Sequence, residues 1–316
     1  MARRARDLTL RHFGRTVRLF SPLYLSDHCQ NRCRYCGFSA ARPGPRRRLD
    51  DVDIAREAKA LAATGLRQVL LLTGDHRDMA GVDYVAGAAR LCRPLLPSVS
   101  VEIFACSEGE YAALAGAGVE GVTLFQETYN ESLYRELHPS GPKADYAWRL
   151  GAPDRAARAG MRQVGLGVLL GLDDWRRDVY HLALHARDLR RRHPGTTFGF
   201  SLPRCRPCAN SENNGGFAPL PVTDTDLAQA LAALRLFEPA APVTLSTREA
   251  APLRDRLVPL GVTRLSAGVS TAVGGHAEPP AGEAQFEIAD RRGVAEVAGT
   301  LAAMGYQAVY TDTEEP

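Results

Sequence analysis

The sequence has no apolar run that approaches the length of a membrane span, so a membrane-spanning class is excluded as an expectation. Its basic start, Met1-Ala2-Arg3-Arg4-Ala5-Arg6, is followed by neither an apolar segment nor a small-residue cleavage site, and so does not read as a secretory leader. Charge of one sign is also scarce. A net charge of +3 over 316 residues gives no basis for expecting a nucleic-acid partner. The short runs Arg46-Arg47-Arg48 and Arg190-Arg191-Arg192 read as solvated surface. There is no internal repeat and no linker long or polar enough to divide the chain, so residues 1–316 read as a single domain with short N- and C-terminal extensions. The seven cysteines are odd in number, which argues against a disulfide framework and for a reducing, cytoplasmic compartment where clustered cysteines bind metal.

What is present fits a soluble enzyme, with 45% hydrophobic and 24% charged residues. The length suits a (β/α) barrel of roughly 250 residues with additions. Strand-like runs recur at 19–25, 68–73, 100–105, 121–125, 163–170, 197–201, 243–247 and 263–267. Helical patterns lie between them at 51–64, 83–92, 107–116, 148–159, 175–192, 224–237 and 249–257. A further helix is read at 291–304 and a terminal strand at 307–310. Gly65, Gly118 and Gly160 read as helix-ending glycines, and Asp50 or Asp51 as an N-cap. This α/β alternation predicts a parallel sheet closed into a barrel, with an open doubly wound sheet as the alternative that periodicity leaves standing.

Three cysteines sit in one run, Cys29-Gln30-Asn31-Arg32-Cys33-Arg34-Tyr35-Cys36, just after the first strand. Three thiolates this close can hold three irons of a cubane cluster and leave the fourth open. Four-cysteine ferredoxin patterns and structural zinc sites close the coordination sphere instead. With Tyr35 before the last cysteine, the run resembles the signature of the radical S-adenosylmethionine superfamily, in which that cofactor chelates the open iron. A partial zinc site is the other reading of three thiols. Cys205 and Cys208 form a C-x2-C pair with no second pair to complete a site, so Cys29, Cys33 and Cys36 are the expected cluster ligands. His181 and His185 lie mid-helix without a metalloprotease glutamate and read as surface or packing residues.

Active-site groups of a barrel come from the C-terminal ends of its strands. The second strand ends in Thr73-Gly74-Asp75, which can offer backbone and carboxylate to a ligand ammonium group. The fourth ends in Gln126-Glu127, a carboxylate suited to ribose hydroxyls, or a helix N-terminal acid. On the fifth, Gly165, Gly167 and Gly171 would let a flat adenine approach the backbone. The seventh ends in Ser246-Thr247-Arg248-Glu249, where Arg248 could grip a carboxylate or pair structurally with Glu249. The eighth offers Ser266 and Ser270. Residues 210–216 read as a loop long enough to act as a lid.

With these residues in hand the chain resembles the 2-iminoacetate synthase family, the tyrosine lyases of bacterial thiamine biosynthesis. The resemblance runs through Tyr35-Cys36-Gly37-Phe38-Ser39, Val69-Leu70-Leu71-Leu72-Thr73-Gly74, Gln126-Glu127-Thr128-Tyr129, Trp148-Arg149-Leu150, Pro203-Arg204, Leu245-Ser246-Thr247-Arg248-Glu249 and Gly274-Gly275. It implies a TIM-type (β/α)8 barrel of the radical S-adenosylmethionine superfamily, one 4Fe-4S cluster and S-adenosylmethionine. It implies a carbon–carbon lyase in which a 5′-deoxyadenosyl radical takes hydrogen from the amino group of L-tyrosine. Cα–Cβ cleavage would then yield p-cresol and 2-iminoacetate (dehydroglycine). By position, Glu127 would hold the ribose, Arg149 the cofactor carboxylate and Gly74-Asp75 its amino group, with Tyr35 and Gly167 also on the cofactor. Arg248, helped by Ser266, would hold the tyrosine carboxylate, while the group facing the phenol stays unassigned. A low-potential electron donor (flavodoxin or ferredoxin) and thiazole synthase are the implied partners.

Members of this family carry several dozen residues before the point where this chain begins, so Met1 reads as a short or internal start. The loop Leu137-His138-Pro139-Ser140-Gly141-Pro142-Lys143 looks more like the related tyrosine lyase of iron-only hydrogenase maturation. That relative holds a second cluster on C-terminal cysteines, and no cysteine follows Cys208 here. A tryptophan lyase of the same group is a third reading, and a non-catalytic iron–sulfur carrier a fourth.

Overall fold

Strands form where β-branched, aliphatic and aromatic residues alternate with small or polar ones. They are β1 (Thr16–Ser26), β2 (Gln68–Thr73), β3 (Ser98–Glu102), β4 (Gly121–Glu127), β5 (Gln163–Val168), β6 (Thr197–Ser201), β7 (Val243–Leu245) and β8 (Arg264–Ser266). In this computed structural model, which describes residues 1–206, 217–279, 282 and 284–311, the strands pair in parallel and in chain order. Strand β1 pairs with both β2 and β8, and that closure decides for the barrel over the open sheet. A short β9 (Gln307–Val309) pairs with residues 16–18, the part of β1 that precedes its pairing with β2.

The helices are α1 (Ala2–Phe13), α2 (Asp51–Ala63), α3 (Arg77–Ala80), α4 (Val82–Cys92), α5 (Glu108–Gly116), α6 (Glu131–Leu137), α7 (Tyr146–Leu150), α8 (Ala152–Arg158), α9 (Trp175–Arg192), α10 (Asp224–Phe237), α11 (Ala251–Leu257) and α12 (Val294–Ala303). Their starts follow the capping chemistry. Asp50 accepts from the Asp53 amide at 2.8 Å, and Ser107 with Glu110 forms a reciprocal box at the start of α5. Gly118, at φ 90°, turns the chain out of α5 in the left-handed region open to glycine.

One reading changes and one helix is added. The helix expected over 148–159 is two, α7 and α8, because Gly151 interrupts it and Pro153 restarts it within the first turn of α8. The basic N-terminus folds as α1 against α10, burying Ala5 and Thr9 and half-burying Leu8 and Phe13 on one face between its arginines. The arginine runs are mostly solvated, as expected, with Arg47, Arg48, Arg190, Arg191 and Arg192 exposed. Arg46 is half-buried and donates to the carbonyls of Asp27, Ser39 and Arg42, while Arg190 and Arg192 pair with Glu238 and Asp188.

Alternation along the strands separates two interiors. Val69, Leu71, Val99, Val101, Leu166 and Val168 belong to the main hydrophobic core. Alternate positions along the strands line a central cavity of about 260 Å³, and many are small or polar, including Ser98, Ser100, Thr123, Gly165, Gly199 and Thr244. Bulky branched side chains commonly fill such a barrel. Here small ones leave it open, and the loops that follow the strands surround its mouth.

Candidate active site

The cysteine run follows β1 as a loop that is pinned from three directions. The Gln30 amide donates to the carbonyl of Asp75 at 2.8 Å, beyond β2. The amides of Arg32 and Arg34 donate to the carbonyls of Ser140, beyond α6, and Leu137, its last residue. The Gly37 amide donates to the carbonyl of Gln285, and the Gln285 side chain bridges the Tyr24 hydroxyl and the Cys36 sulfur at 2.8 and 3.7 Å. Asn31, inside the motif, ties the first two directions together. Its amide donates to Asp75 Oδ2 at 2.8 Å and its Oδ1 accepts from the Lys143 backbone at 2.9 Å.

All three thiols, of Cys29, Cys33 and Cys36, line the cavity. Burial raises the pKa of Cys29 and Cys33, so these thiols stay protonated until a metal displaces the proton. Among the described residues no three His, Cys, Asp or Glu side chains converge as a single metal ion requires. Thiols that ligate separate irons of a cluster need no such convergence. Cys205 is half-buried and packs against the Leu137, Leu169 and Leu172 cluster. Cys208 and residues 210–216, the expected lid, lie outside the described residues.

The structure brings most of the predicted residues to the same cavity: Tyr35, Gly74, Asp75, Glu127, Arg149, Arg248 and Ser266 all line it. Asp75 Oδ1 is buried and without a hydrogen-bond partner, while its other oxygen is held by Asn31. A carboxylate so placed is oriented and half free. Gly74 has no room for a side chain, because a Cβ there would lie 2.3 Å from the His28 carbonyl oxygen. Glu127 sits beyond a register shift in β4, at φ 72°, and is the one non-glycine residue with positive φ among those described. Such strain marks a side chain that is aimed deliberately.

The carboxylate of Glu127 accepts from Lys143 Nζ at 2.6 Å, and an Arg149 nitrogen lies 3.7 Å from it. Burial and Arg149 work against the Lys143 charge, yet Glu127 opposite keeps its pKa above the ordinary lysine value. Arg149 is itself buried and donates through Nε to the Phe125 carbonyl at 2.6 Å.

Gly167 stands apart from this group. Its registered neighbour Phe125 covers it, since a Cβ would lie 2.4 Å from the Phe125 ring, and it is Gly165 that lines the cavity. Tyr35 donates its hydroxyl to His138 Nε2 at 2.6 Å. The direction follows from His138 Nδ1, which faces the Tyr134 carbonyl at 2.7 Å and must carry the ring proton. Burial pushes His138 down to about 2, so the ring stays neutral.

On the opposite wall, Arg248 lies over Phe286, 3.4 Å from the ring centroid, and forms no ion pair among the described residues. The structural Arg–Glu alternative falls on other arginines: buried Glu249 accepts from Arg204 and, at 2.9 Å, from Arg206. Ser266 presents a buried hydroxyl without a partner, and Ser270 spends its own on the Ala272 carbonyl at 3.3 Å. His181 and His185 pack on Tyr129, as expected. Lys143, His138, Asn31, Glu102 and Gln285 escaped the sequence reading as site residues. Asn31, inside the cysteine run, and His138 and Lys143, inside the 137–143 loop, lay in stretches the sequence had marked.

Comparison with known proteins places this geometry. Residues 23–183 match the Radical SAM superfamily, and residues 201–307 match the Biotin and Thiamin Synthesis associated domain. The chain is 41% identical over 314 residues to 2-iminoacetate synthase of Escherichia coli (strain K12), covering 99% of this chain and 82% of that one. It is 40% identical to the same enzyme of Salmonella typhimurium over the same shares. The chain belongs to the 2-iminoacetate synthase family of the radical SAM superfamily. Among solved structures, HydG, a maturase of the [FeFe]-hydrogenase, superposes with a TM-score of 0.91 at 33% identity, covering 97% of this chain and 68% of that one. Methylornithine synthase shares the fold, with a TM-score of 0.76 at 19% identity over 96% of this chain and 87% of that one.

The family uses a 4Fe-4S cluster and S-adenosylmethionine, and the residues present fit both. Three thiols, an oriented carboxylate with a free buried oxygen, and a glycine that lets the β2 end press on the cysteine loop meet at one mouth.

Proposed function

We propose that this chain is a carbon–carbon lyase that cleaves L-tyrosine between Cα and Cβ to 2-iminoacetate and p-cresol, the former for the thiazole moiety of thiamine. The observation that carries the reading is the division of one cavity. Thiols, Asp75, Glu127 and Arg149 gather on the β1–β4 side, while Arg248, stacked on Phe286 and without an ion pair among the described residues, and the partnerless hydroxyl of Ser266 stand on the β7–β8 side. Cys29, Cys33 and Cys36 hold the cluster. Asp75 receives the ammonium group of the cofactor, Glu127 its ribose once Lys143 yields, and Arg149 its carboxylate. When bound, cluster and cofactor supply the radical that removes one hydrogen atom from the substrate's amino group.

The chain's own part is placement. The Arg248 fork makes two parallel bonds to the substrate carboxylate, with Ser266 as a further donor. That grip presents the amino hydrogen, rather than the weaker Cα–H, to the radical. The 2-iminoacetate reading is favoured over hydrogenase maturation by 41% against 33% identity. A low-potential flavodoxin or ferredoxin is the proposed donor, thiazole synthase the proposed product acceptor, the cytoplasm the proposed compartment, and residues 1–316 are proposed to form one domain. Among the described residues no helix is long and apolar enough to cross a membrane.

Anaerobic reconstitution with S-adenosylmethionine, dithionite and each aromatic amino acid tests the reading. Tyrosine should give p-cresol and 5′-deoxyadenosine. Products from tryptophan alone would move the substrate, and no 5′-deoxyadenosine with any of them would leave an electron carrier.

A further inference from the structure

Among the described residues three carboxyl groups line the cavity: Asp75, Glu102 and Glu127. Asp75 is held by Asn31, and Glu127 faces Lys143 and Arg149. Glu102, the last residue of β3, accepts no hydrogen bond from any described residue, and its carboxyl opens into the cavity. It also lies deeper than the other two. Ser100 and Val101 register with Gly121 and Val122, so Glu102 stands beside Thr123, four residues short of Glu127 on β4. The same row continues to Gly165 and Gly199, neither of which puts a side chain into the space. Around the closed barrel β3 stands opposite β7 and so faces the proposed carboxylate clamp, Arg248 after β7 and Ser266 on β8.

We infer that Glu102 recognises the phenol end of the substrate, its carboxyl oxygen accepting the hydrogen bond of the tyrosine hydroxyl. This rests on the tyrosine reading above and adds the group that selects the ring. Carboxylate and amino group of an amino acid share one carbon, so a substrate clamped on the β7–β8 wall must send its ring away from it. Crossing the lumen, the ring passes the β5–β6 wall, opened by two glycines, and reaches a partnerless carboxyl on β3. The other candidates along that path are spent or weaker acceptors. The Tyr24 hydroxyl is bonded to Gln285, and Ser100 and Thr123 offer neutral hydroxyls.

The charged and titratable groups facing Glu102 are Tyr24 from β1, Glu127 from β4, Lys143 and Arg149 from the segments after it, and Arg248 after β7. Burial and Glu127 raise the Glu102 pKa to about 7 against the opposing pull of the three cations. A carboxyl held near neutrality suits a partner that is itself a weak acid.

Equilibrium binding of L-tyrosine and L-phenylalanine, measured without reductant on cluster-reconstituted protein with S-adenosylmethionine, tests the assignment. A site built to bond a hydroxyl rejects the analogue that lacks it. The wild type should bind tyrosine about 10-fold to 100-fold more tightly than phenylalanine. Glu102→Leu should bring that ratio close to one while cluster absorbance stays unchanged. Glu102→Gln, which keeps shape and one acceptor oxygen, should retain a reduced preference, and it carries the test if the leucine variant does not fold. A ratio unchanged in both variants, with wild-type p-cresol formation intact, overturns the role of Glu102 and leaves the lyase reading standing. A wild type that neither binds tyrosine nor forms p-cresol from it overturns both.

Discussion

Replacing Gly74 by alanine tests whether the cysteine loop is braced from below by the end of β2. The φ of Gly74 is outside the left-handed region, so the position demands space and not glycine's conformational freedom. An alanine Cβ would lie 2.3 Å from the carbonyl oxygen of His28, 2.8 Å from its carbon and 3.0 Å from Cys29 Cβ. The first two are backbone atoms, so no side-chain rotation relieves the clash, and the chain segment carrying Cys29 must move. Overpacking of this kind costs about 1–3 kcal/mol, which lowers Tm by roughly 2–5 °C in a protein of this size. The larger effect should fall on the cluster, because displacement of Cys29 misplaces one of three thiols. Thermal unfolding of the apo-protein and iron content after anaerobic reconstitution are the two readouts. Gly87→Ala serves as the control. Gly87 lies inside α4, its Cβ would meet nothing within 4 Å, and alanine there should stabilise by about 0.5–1 kcal/mol. A Gly74→Ala protein with wild-type Tm and full iron loading would refute the bracing argument.

Cys33→Ala should abolish cluster absorbance near ~400 nm and all 5′-deoxyadenosine, since each thiolate fixes one iron, while Cys205→Ala should leave the cluster intact. Glu127→Ala should weaken S-adenosylmethionine binding by about 10-fold or more with the cluster retained; an unchanged cofactor Kd would place Glu127 only in the Lys143 ion pair. Arg248→Lys should keep cofactor cleavage yet lose most p-cresol, because an ammonium cannot copy the bidentate fork, and near-wild-type p-cresol would make Arg248 a packing partner of Phe286. His138 is held neutral, at about 2, against an unfolded value near 6.5. The unfolded chain therefore binds the extra proton first, and stability should fall as pH drops below about 6.5. His138→Gln should flatten that part of the pH–stability curve in urea titrations, and an unchanged slope would exclude His138 as its source.

The sequence by itself determined the chemistry that short spacing can encode. Cys29, Cys33 and Cys36 are neighbours along one loop, and βα periodicity is local, so the cluster motif and the strands were legible with ends shifted by a few residues. Closure was not legible, because an open sheet and a barrel share the same period; only the pairing of β1 with both β2 and β8 decides it. Partner choice among charges was equally hidden. Glu249 adjoins Arg248 in sequence but bonds Arg204 and Arg206, because both sit in the turn after β7, which lays Arg248 on Phe286 and buries Glu249 against the segment after β6. Glu127 waited for Lys143, delivered by a loop beyond α6. Gln285 reaches Cys36 across 249 positions, a contact that no local pattern announces. Glu102 shows the same limit from the other direction. Its residue type is ordinary, and it becomes a candidate because the folded barrel gives the other two cavity carboxylates partners and leaves this one facing open space. Sequence carries identity and spacing, whereas the free or occupied state of a buried polar group depends on which distant segments the fold brings beside it.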